Sequence, residues 1–94
     1  MDARTRAWKQ KVDGVLALVN ELDPYDLAPG DPDGAPDDEY HPEAEEIARH
    51  LMTNRAITAE HIDAIWNRWF GEPLSRTITP HRRAQFVAHL NRLP

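Results

Sequence analysis

Apolar residues recur at intervals of three and four along most of this chain, which is the spacing of one face of an α-helix. The first such stretch predicts a helix over about residues 5–21, and Pro24 ends it because the residue before a proline is pushed out of the helical region. Gly14 lies inside this helix and weakens it by up to about 1 kcal/mol relative to alanine. The apolar face of the helix comprises Trp8, Val12, Val15, Leu16, Val19 and Leu22.

The same periodicity predicts a second helix over about residues 42–53, where Pro42 suits the first helical position. A third is predicted over about residues 59–70, with Thr58 as its N-cap and Gly71 as its stop. The predicted buried positions of these two helices are Ala44, Ile47, Ala48, Leu51 and Met52, and Ile62, Ile65, Trp66, Trp69 and Phe70.

A fourth helix is predicted to begin with Thr79 as N-cap and Pro80 as its first residue. Its core positions are Phe86, Val87, Leu90 and Leu93. Four amphipathic helices and no strand pattern predict an all-α protein, namely a compact bundle of about four helices in a single domain over residues 1–94.

One long loop, over residues 23–41, separates the first and second predicted helices. Its prolines lack the backbone donor and its glycines cost entropy, so neither a helix nor a central strand is expected there. A loop of this length in so small a domain is usually functional or disordered. We expect its apolar ends, at Tyr25, Leu27 and Tyr40, to dock on the helices and its tip to be mobile.

Charge divides the chain sharply. The formal net charge is −5, but residues 23–46 carry ten acidic residues and no lysine or arginine, so the rest of the chain is basic. Arginine outnumbers lysine, which is typical of a GC-rich bacterial genome. No stretch is apolar enough for a signal peptide or a membrane span, so a cytoplasmic protein is expected. The chain has no cysteine, which excludes disulfides, thiolate metal sites and cysteine nucleophiles.

Calcium is the first ligand that an acidic loop suggests. Placing Asp31, Asp33 and Gly34 at the third, fifth and sixth positions of an EF-hand loop puts Pro29 first and Tyr40 twelfth. Neither residue supplies the carboxylate that those positions require. The sequence therefore predicts no calcium site in this loop.

Other metal and catalytic chemistry finds little foothold. The pairs His41 with Glu45 and Glu46 with His50 are four residues apart, which is the spacing of exposed contacts within a helix. Ser75, the only serine, has no glycine-rich turn around it. Carboxylates on a solvated loop are not the preorganised groups that acid–base catalysis needs. We expect no enzyme activity, no cofactor and no metal.

A short motif carries a resemblance. The segments Leu22–Leu27 and Ala35–Tyr40, followed by Glu43, Ile47 and Leu51, resemble the YugE-like family of small bacterial proteins of unknown function. That family is similar to small immunity-type proteins encoded beside bacterial toxins. Leu22 stands where the family has tryptophan, and Asp26 where it has glycine. The resemblance implies an all-α fold and implies no activity.

The sequence thus predicts a protein-interaction module of the immunity or antitoxin type, whose acidic loop covers a basic surface of a toxin-like partner. The predicted contact residues are Asp33, Asp37, Asp38, Glu39 and Tyr40. Two alternatives remain open. Arg82 and Arg83 on the fourth helix form a second candidate face, for nucleic acid or a small ligand, although an acidic chain opposes nucleic acid. The loop could instead neutralise the protein's own arginines.

Overall fold

A computed structural model of the chain describes residues 2–94. Over these residues it contains four α-helices, one turn of 3₁₀ helix and no strand, which confirms the predicted all-α fold. The elements are α1 (Ala3–Leu22), α2 (His41–Asn54), α3 (Ala59–Phe70), the 3₁₀ turn (Leu74–Arg76) and α4 (Pro80–Asn91). No helix described for residues 2–94 is both long and apolar enough to cross a lipid bilayer.

Side-chain caps fix where the helices begin. Thr58 and Thr79 accept hydrogen bonds from the backbone of α3 and α4, as predicted. Helix α1 starts two residues earlier than predicted because the Asp2 carboxylate accepts a bond of 2.8 Å from the Thr5 amide. Gly71 ends α3 with a φ of 74°, in the left-handed region that glycine enters without a steric penalty.

The helices pack in a ring: α1 on α2, α2 on α3, α3 on α4, and α4 back on α1. Each helix contributes one apolar face to the shared centre, where Trp66 is the largest fully buried side chain. The core comprises Val12, Val15, Val19, Tyr40, Ala44, Ile47, Ala48, Leu51, Ile57, Ile62, Ile65, Trp66, Leu74, Ile78, Phe86 and Leu90.

Three residues predicted to be buried lie at the surface. Met52, Trp69 and Phe70 expose 44%, 48% and 38% of their surface. Periodicity indicates which residues share a helical face, but the neighbouring helices cover only part of a wide face. The prediction that all three tryptophans lie in the core is therefore wrong for Trp69, while Trp8 is half-buried.

The sequence pattern did not predict a contact between the end of α4 and the segment before α3. The Asn91 side chain accepts a hydrogen bond from the Ile57 amide (2.8 Å) and donates one to the Ile57 carbonyl (2.9 Å). This amide side chain satisfies both backbone hydrogen-bonding groups of Ile57, which lies outside the helices. It ties the end of α4 to the segment that leads into α3.

Candidate interaction surface

Both ends of the segment between α1 and α2, residues 23–40, meet at one carboxylate. Asp23 accepts hydrogen bonds from the backbone amides of Leu27 (2.8 Å) and Ala28 (2.9 Å). The Tyr40 hydroxyl donates a third, of 2.9 Å, and itself accepts one from the Tyr25 amide at 3.2 Å. We call residues 23–40 the acidic loop, and its first and last residues are joined directly.

The ionisation of this junction follows from its surroundings. Burial acts to raise the pKa of Asp23, but the hydrogen bonds from Leu27, Ala28 and Tyr40 outweigh it, so the pKa lies below its usual range. Burial, together with the Asp23 carboxylate, raises the pKa of the Tyr40 hydroxyl. At neutral pH the junction therefore consists of a carboxylate and a neutral phenol, which is the pairing that its hydrogen bonds require.

The tip of the acidic loop forms hydrogen bonds within its own backbone. The Ala35 amide donates to the Leu27 carbonyl at 2.8 Å, and the Gly30 amide donates to the Ala35 carbonyl at 2.9 Å. Farther back, Asn20 of α1 donates to the carbonyl of Asp37 at 3.0 Å. These bonds give the tip a defined backbone path and hold the loop's second half against α1.

Gly34 is expected to be essential to that path. A Cβ at this position would overlap the carbonyl oxygen of Ala28. Because this oxygen belongs to the backbone, it cannot move aside by a change of side-chain rotamer. We expect Gly34→Ala to lower the free energy of unfolding by about 2 kcal/mol, the usual cost of overpacking. Thermal unfolding followed by circular dichroism measures this loss. An alanine at the neighbouring exposed Asp33 is the control, and equal stability of the two variants would contradict the close approach.

The acidic side chains of the loop face solvent. Asp26, Asp31, Asp33, Asp37, Asp38 and Glu39 are all exposed. Among residues 2–94, the ion pairs join Arg68 to Glu46 and Arg83 to Asp63, and His41 contacts Glu45, so none of these contacts involves a carboxylate of the loop. The alternative in which the loop neutralises the protein's own arginines therefore has no ion pair to support it.

Tyr40 does not belong to this surface. It was predicted to contact a partner, but only 1% of the residue is exposed, because its ring packs beside Trp66 with their centroids 6.4 Å apart. Its hydroxyl is already engaged with Asp23. The prediction of Tyr40 as a contact residue is wrong, and its role is to anchor the loop to the core.

The second predicted face, on α4, is partly occupied by contacts within the chain. A guanidinium nitrogen of Arg83 lies 2.6 Å from the Asp63 carboxylate of α3. The Arg82 guanidinium donates to the carbonyl of Leu22, at the end of α1, at 2.9 Å. Both arginines therefore join α4 to neighbouring helices. Because their guanidinium groups already have partners within the protein, the case for a nucleic-acid face is weaker.

Two exposed aromatic residues, Trp69 and Phe70, end α3, and Phe70 lies beside the acidic loop. Phe70 contacts Tyr25 of the loop, with ring centroids 4.8 Å apart, and Tyr25 in turn donates to the Glu72 carboxylate at 3.1 Å. The preceding residue, Trp69, is held by α2, since its indole N–H donates to Glu46. The predicted site residues did not include Trp69 and Phe70. The apolar run at the end of α3 was the signal in the sequence that could have indicated them.

A groove runs between α2 and α3. It includes a hollow of about 630 Å³, whose lining contains His50 and His61 with their rings tilted by 45° and their centroids 4.4 Å apart. Burial lowers the pKa of His50, and the neighbouring His61 lowers it further. His50 contacts Asn54 and His61, and the predicted pairing of His50 with Glu46 is replaced by the bonds of Glu46 to α3. Within residues 2–94, no three side chains of the metal-binding types cluster together.

Glu43 is an acidic residue buried in the first turn of α2. It is 6% exposed, and one of its carboxylate oxygens has no hydrogen-bond partner within the protein. Burial raises the pKa of Glu43, and the nearby charges of Glu39 and Glu46 raise it further. An ionised carboxylate here costs stability, because the charge has lost water without gaining a cation.

We expect Glu43→Gln to raise the free energy of unfolding at pH 7 by about 1 kcal/mol, since it removes the buried charge. The pKa of Glu43 is higher in the folded state, so its stabilising contribution is present at low pH and is lost as the pH rises through the folded pKa. The gain should therefore shrink in acid. Urea unfolding between pH 4 and pH 8 measures it, with Glu60→Gln in the exposed first turn of α3 as the control. A variant less stable than wild type at pH 7 would contradict the interpretation.

Comparison with known proteins adds no relative to this description. The chain matches no protein-family model, no curated protein sequence and no solved structure. The candidate surface therefore rests on the geometry of its own residues.

Proposed function

We propose that this protein is a non-catalytic interaction module, of the immunity or antitoxin type, whose acidic loop covers a basic surface on a toxin-like partner. The observation that carries the proposal is the set of six exposed carboxylates in the loop, which make no ion pair within residues 2–94. The resemblance to the YugE-like family suggests the type of module and stays a prediction.

Electrostatics favour this use of the loop. Like charges held close together repel one another, so a partner that supplies lysine or arginine relieves the repulsion as it binds. Complementary charge also accelerates encounter and discriminates against other partners. The loop's backbone is already held by the bonds at Asp23 and by those within the tip, so little of it needs to be ordered on binding.

The test neutralises the exposed carboxylates nearest α2. In the loop variant, Asp33, Asp37 and Asp38 become asparagine and Glu39 becomes glutamine. The control variant changes Asp13, Glu21 and Glu60, which are exposed residues outside the loop. Each protein is used to capture partners, and the captured partner is then purified for calorimetry. We expect affinity to fall at least tenfold, or about 1.4 kcal/mol, in the loop variant alone.

Salt and growth assays complete the test. Added salt should weaken the wild-type complex, because it screens exposed charges. If the partner is a toxin, co-expression with wild type should restore growth while the loop variant should not. Unchanged affinity and unchanged growth rescue in the loop variant would refute the proposed function.

A further inference from the structure

We propose that the exposed Trp69 is the anchor of the partner interface and that it receives an arginine side chain from the basic partner. This inference rests on the proposed function and names the contact within it. Trp69 lines a hollow of about 330 Å³, here called the Trp69 hollow, together with Pro42, Glu45, Glu46 and Arg49. The hollow lies between the start of α2 and the end of α3.

The indole is exposed and yet held in place. Trp69 leaves 48% of its surface in solvent, so a partner can reach its ring. Its N–H donates to Glu46, and the same carboxylate pairs with Arg68. A ring fixed in this way loses little conformational freedom when a partner covers it, which is a property of aromatic interface anchors.

The charges around the ring favour a cation. Glu45 lies in the wall of the hollow, and its contact with His41, at 3.2 Å, is on the exposed surface, where such pairs are weak. Asp38 and Glu39 lie directly before α2, which forms that wall. A cation over the face of an indole is attracted by the ring as well as by the carboxylates. Glu46 is already paired with Arg68, and Arg49 also lines the hollow, so Glu45 is the carboxylate that a partner cation would meet beside the ring.

Arginine fits the Trp69 hollow better than an apolar side chain or a lysine does. Its planar guanidinium stacks on an aromatic face while its edge donates to a carboxylate, and it loses water more readily than an ammonium. Arg49 also lines the hollow, but its guanidinium lies over the ring of Trp8, 5.9 Å from the centroid. The protein itself thus already uses this kind of contact between α2 and α1.

The experiment uses a short peptide as the probe. Acetyl-Gly-Arg-Gly-Arg-Gly-amide is titrated into ¹⁵N-labelled full-length protein at low ionic strength, and the indole N–H resonances are followed by NMR. The matched control peptide replaces each arginine with citrulline, which has the same shape and no charge. We expect saturable shifts at the Trp69 indole and at the amides that begin α2 with the arginine peptide alone.

Variants locate the contact. Trp69→Leu keeps an apolar side chain without the aromatic face, and Glu45→Gln removes the negative charge of Glu45. Each should weaken peptide binding about threefold to fivefold, as expected for one cation–π or one exposed charge contact. Glu60→Gln, an exposed acidic residue on α3 away from the hollow, should leave binding unchanged. Because Trp69 is exposed, its variants should fold normally.

Three results would overturn the inference. Shifts confined to residues 26–39, with the Trp69 indole unmoved, would leave the proposed function standing and remove Trp69 from it. Trp69 shifts that grow with protein concentration in the absence of peptide would show that a second copy of this chain covers the ring. Equal shifts with the arginine and citrulline peptides, or none with either, would show that the hollow does not recognise a cation, and the loop variants would then decide the proposed function.

Discussion

Asp23→Ala is expected to lower the free energy of unfolding by about 3 kcal/mol, because it leaves three donors without their acceptor. Hydrogen bonds to a charged group are each worth more than a neutral one, but solvent can partly replace those to the half-buried amides of Leu27 and Ala28. Asp23 also adopts a φ of 42°, which aspartate tolerates better than alanine. Asp23→Asn keeps one acceptor oxygen and tolerates the positive φ, so it should lower the free energy of unfolding by about half as much.

Urea unfolding followed by circular dichroism measures these losses, with the exposed Asp33→Ala as the control. The pH dependence gives a second reading. The folded pKa of Asp23 lies below its unfolded value, so its contribution is present above about pH 4 and is lost as the pH falls through the folded pKa. The gap between wild type and Asp23→Ala should therefore narrow in acid. A loss no larger than that of Asp33→Ala would show that the junction does not support the fold.

Trp66→Ala is expected to lower the free energy of unfolding by about 4 kcal/mol, within the range for removing a buried aromatic ring. The Trp66 ring is fully buried and lies within 5.0 Å of Phe70 and 6.4 Å of both Tyr25 and Tyr40, measured between centroids. A small domain is stabilised by only about 5–15 kcal/mol, so a large fraction of its stability disappears. The loss should also release both tyrosines, which belong to the acidic loop.

The matched control is Trp69→Ala, three residues farther along the same helix. Its ring is 48% exposed, so its replacement should cost less than about 1 kcal/mol. Trp66→Phe provides a finer comparison, because the buried indole N–H of Trp66 has no hydrogen-bond partner within the protein. Losing that N–H should carry no penalty, so the cost should reflect lost volume alone. Equal thermal stability of Trp66→Ala and Trp69→Ala would contradict the assignment of the core.

Local signals in the sequence predicted the helices well. Helix α3 has the predicted bounds, because a capping threonine precedes it and Gly71 follows it. The start of α1 was missed, since the cap at Asp2 lies outside the apolar pattern. The 3₁₀ turn at Leu74–Arg76 was also missed, because three residues are too few to show a period.

Which side chains reach the surface depends on neighbours that local patterns do not contain. The exposure of Trp69 and the burial of Tyr40 are both consequences of how α2, α3 and the loop meet. The carboxylates of the loop were predicted as surface groups from their proline-rich context, and they are exposed. The junction at Asp23 joins residues 17 positions apart, and no pairing rule based on short spacing identifies such a partner.

That junction has an evolutionary consequence. Because Asp23 and Tyr40 join the two ends of the loop to each other and to the core, the exposed residues 31–33 at the tip, unlike Gly34, can change without altering the helical scaffold. A lineage could substitute residues 31–33 and so acquire a new specificity while the same core continues to fold. The same property makes this segment a natural place to graft foreign binding sequences in a designed protein.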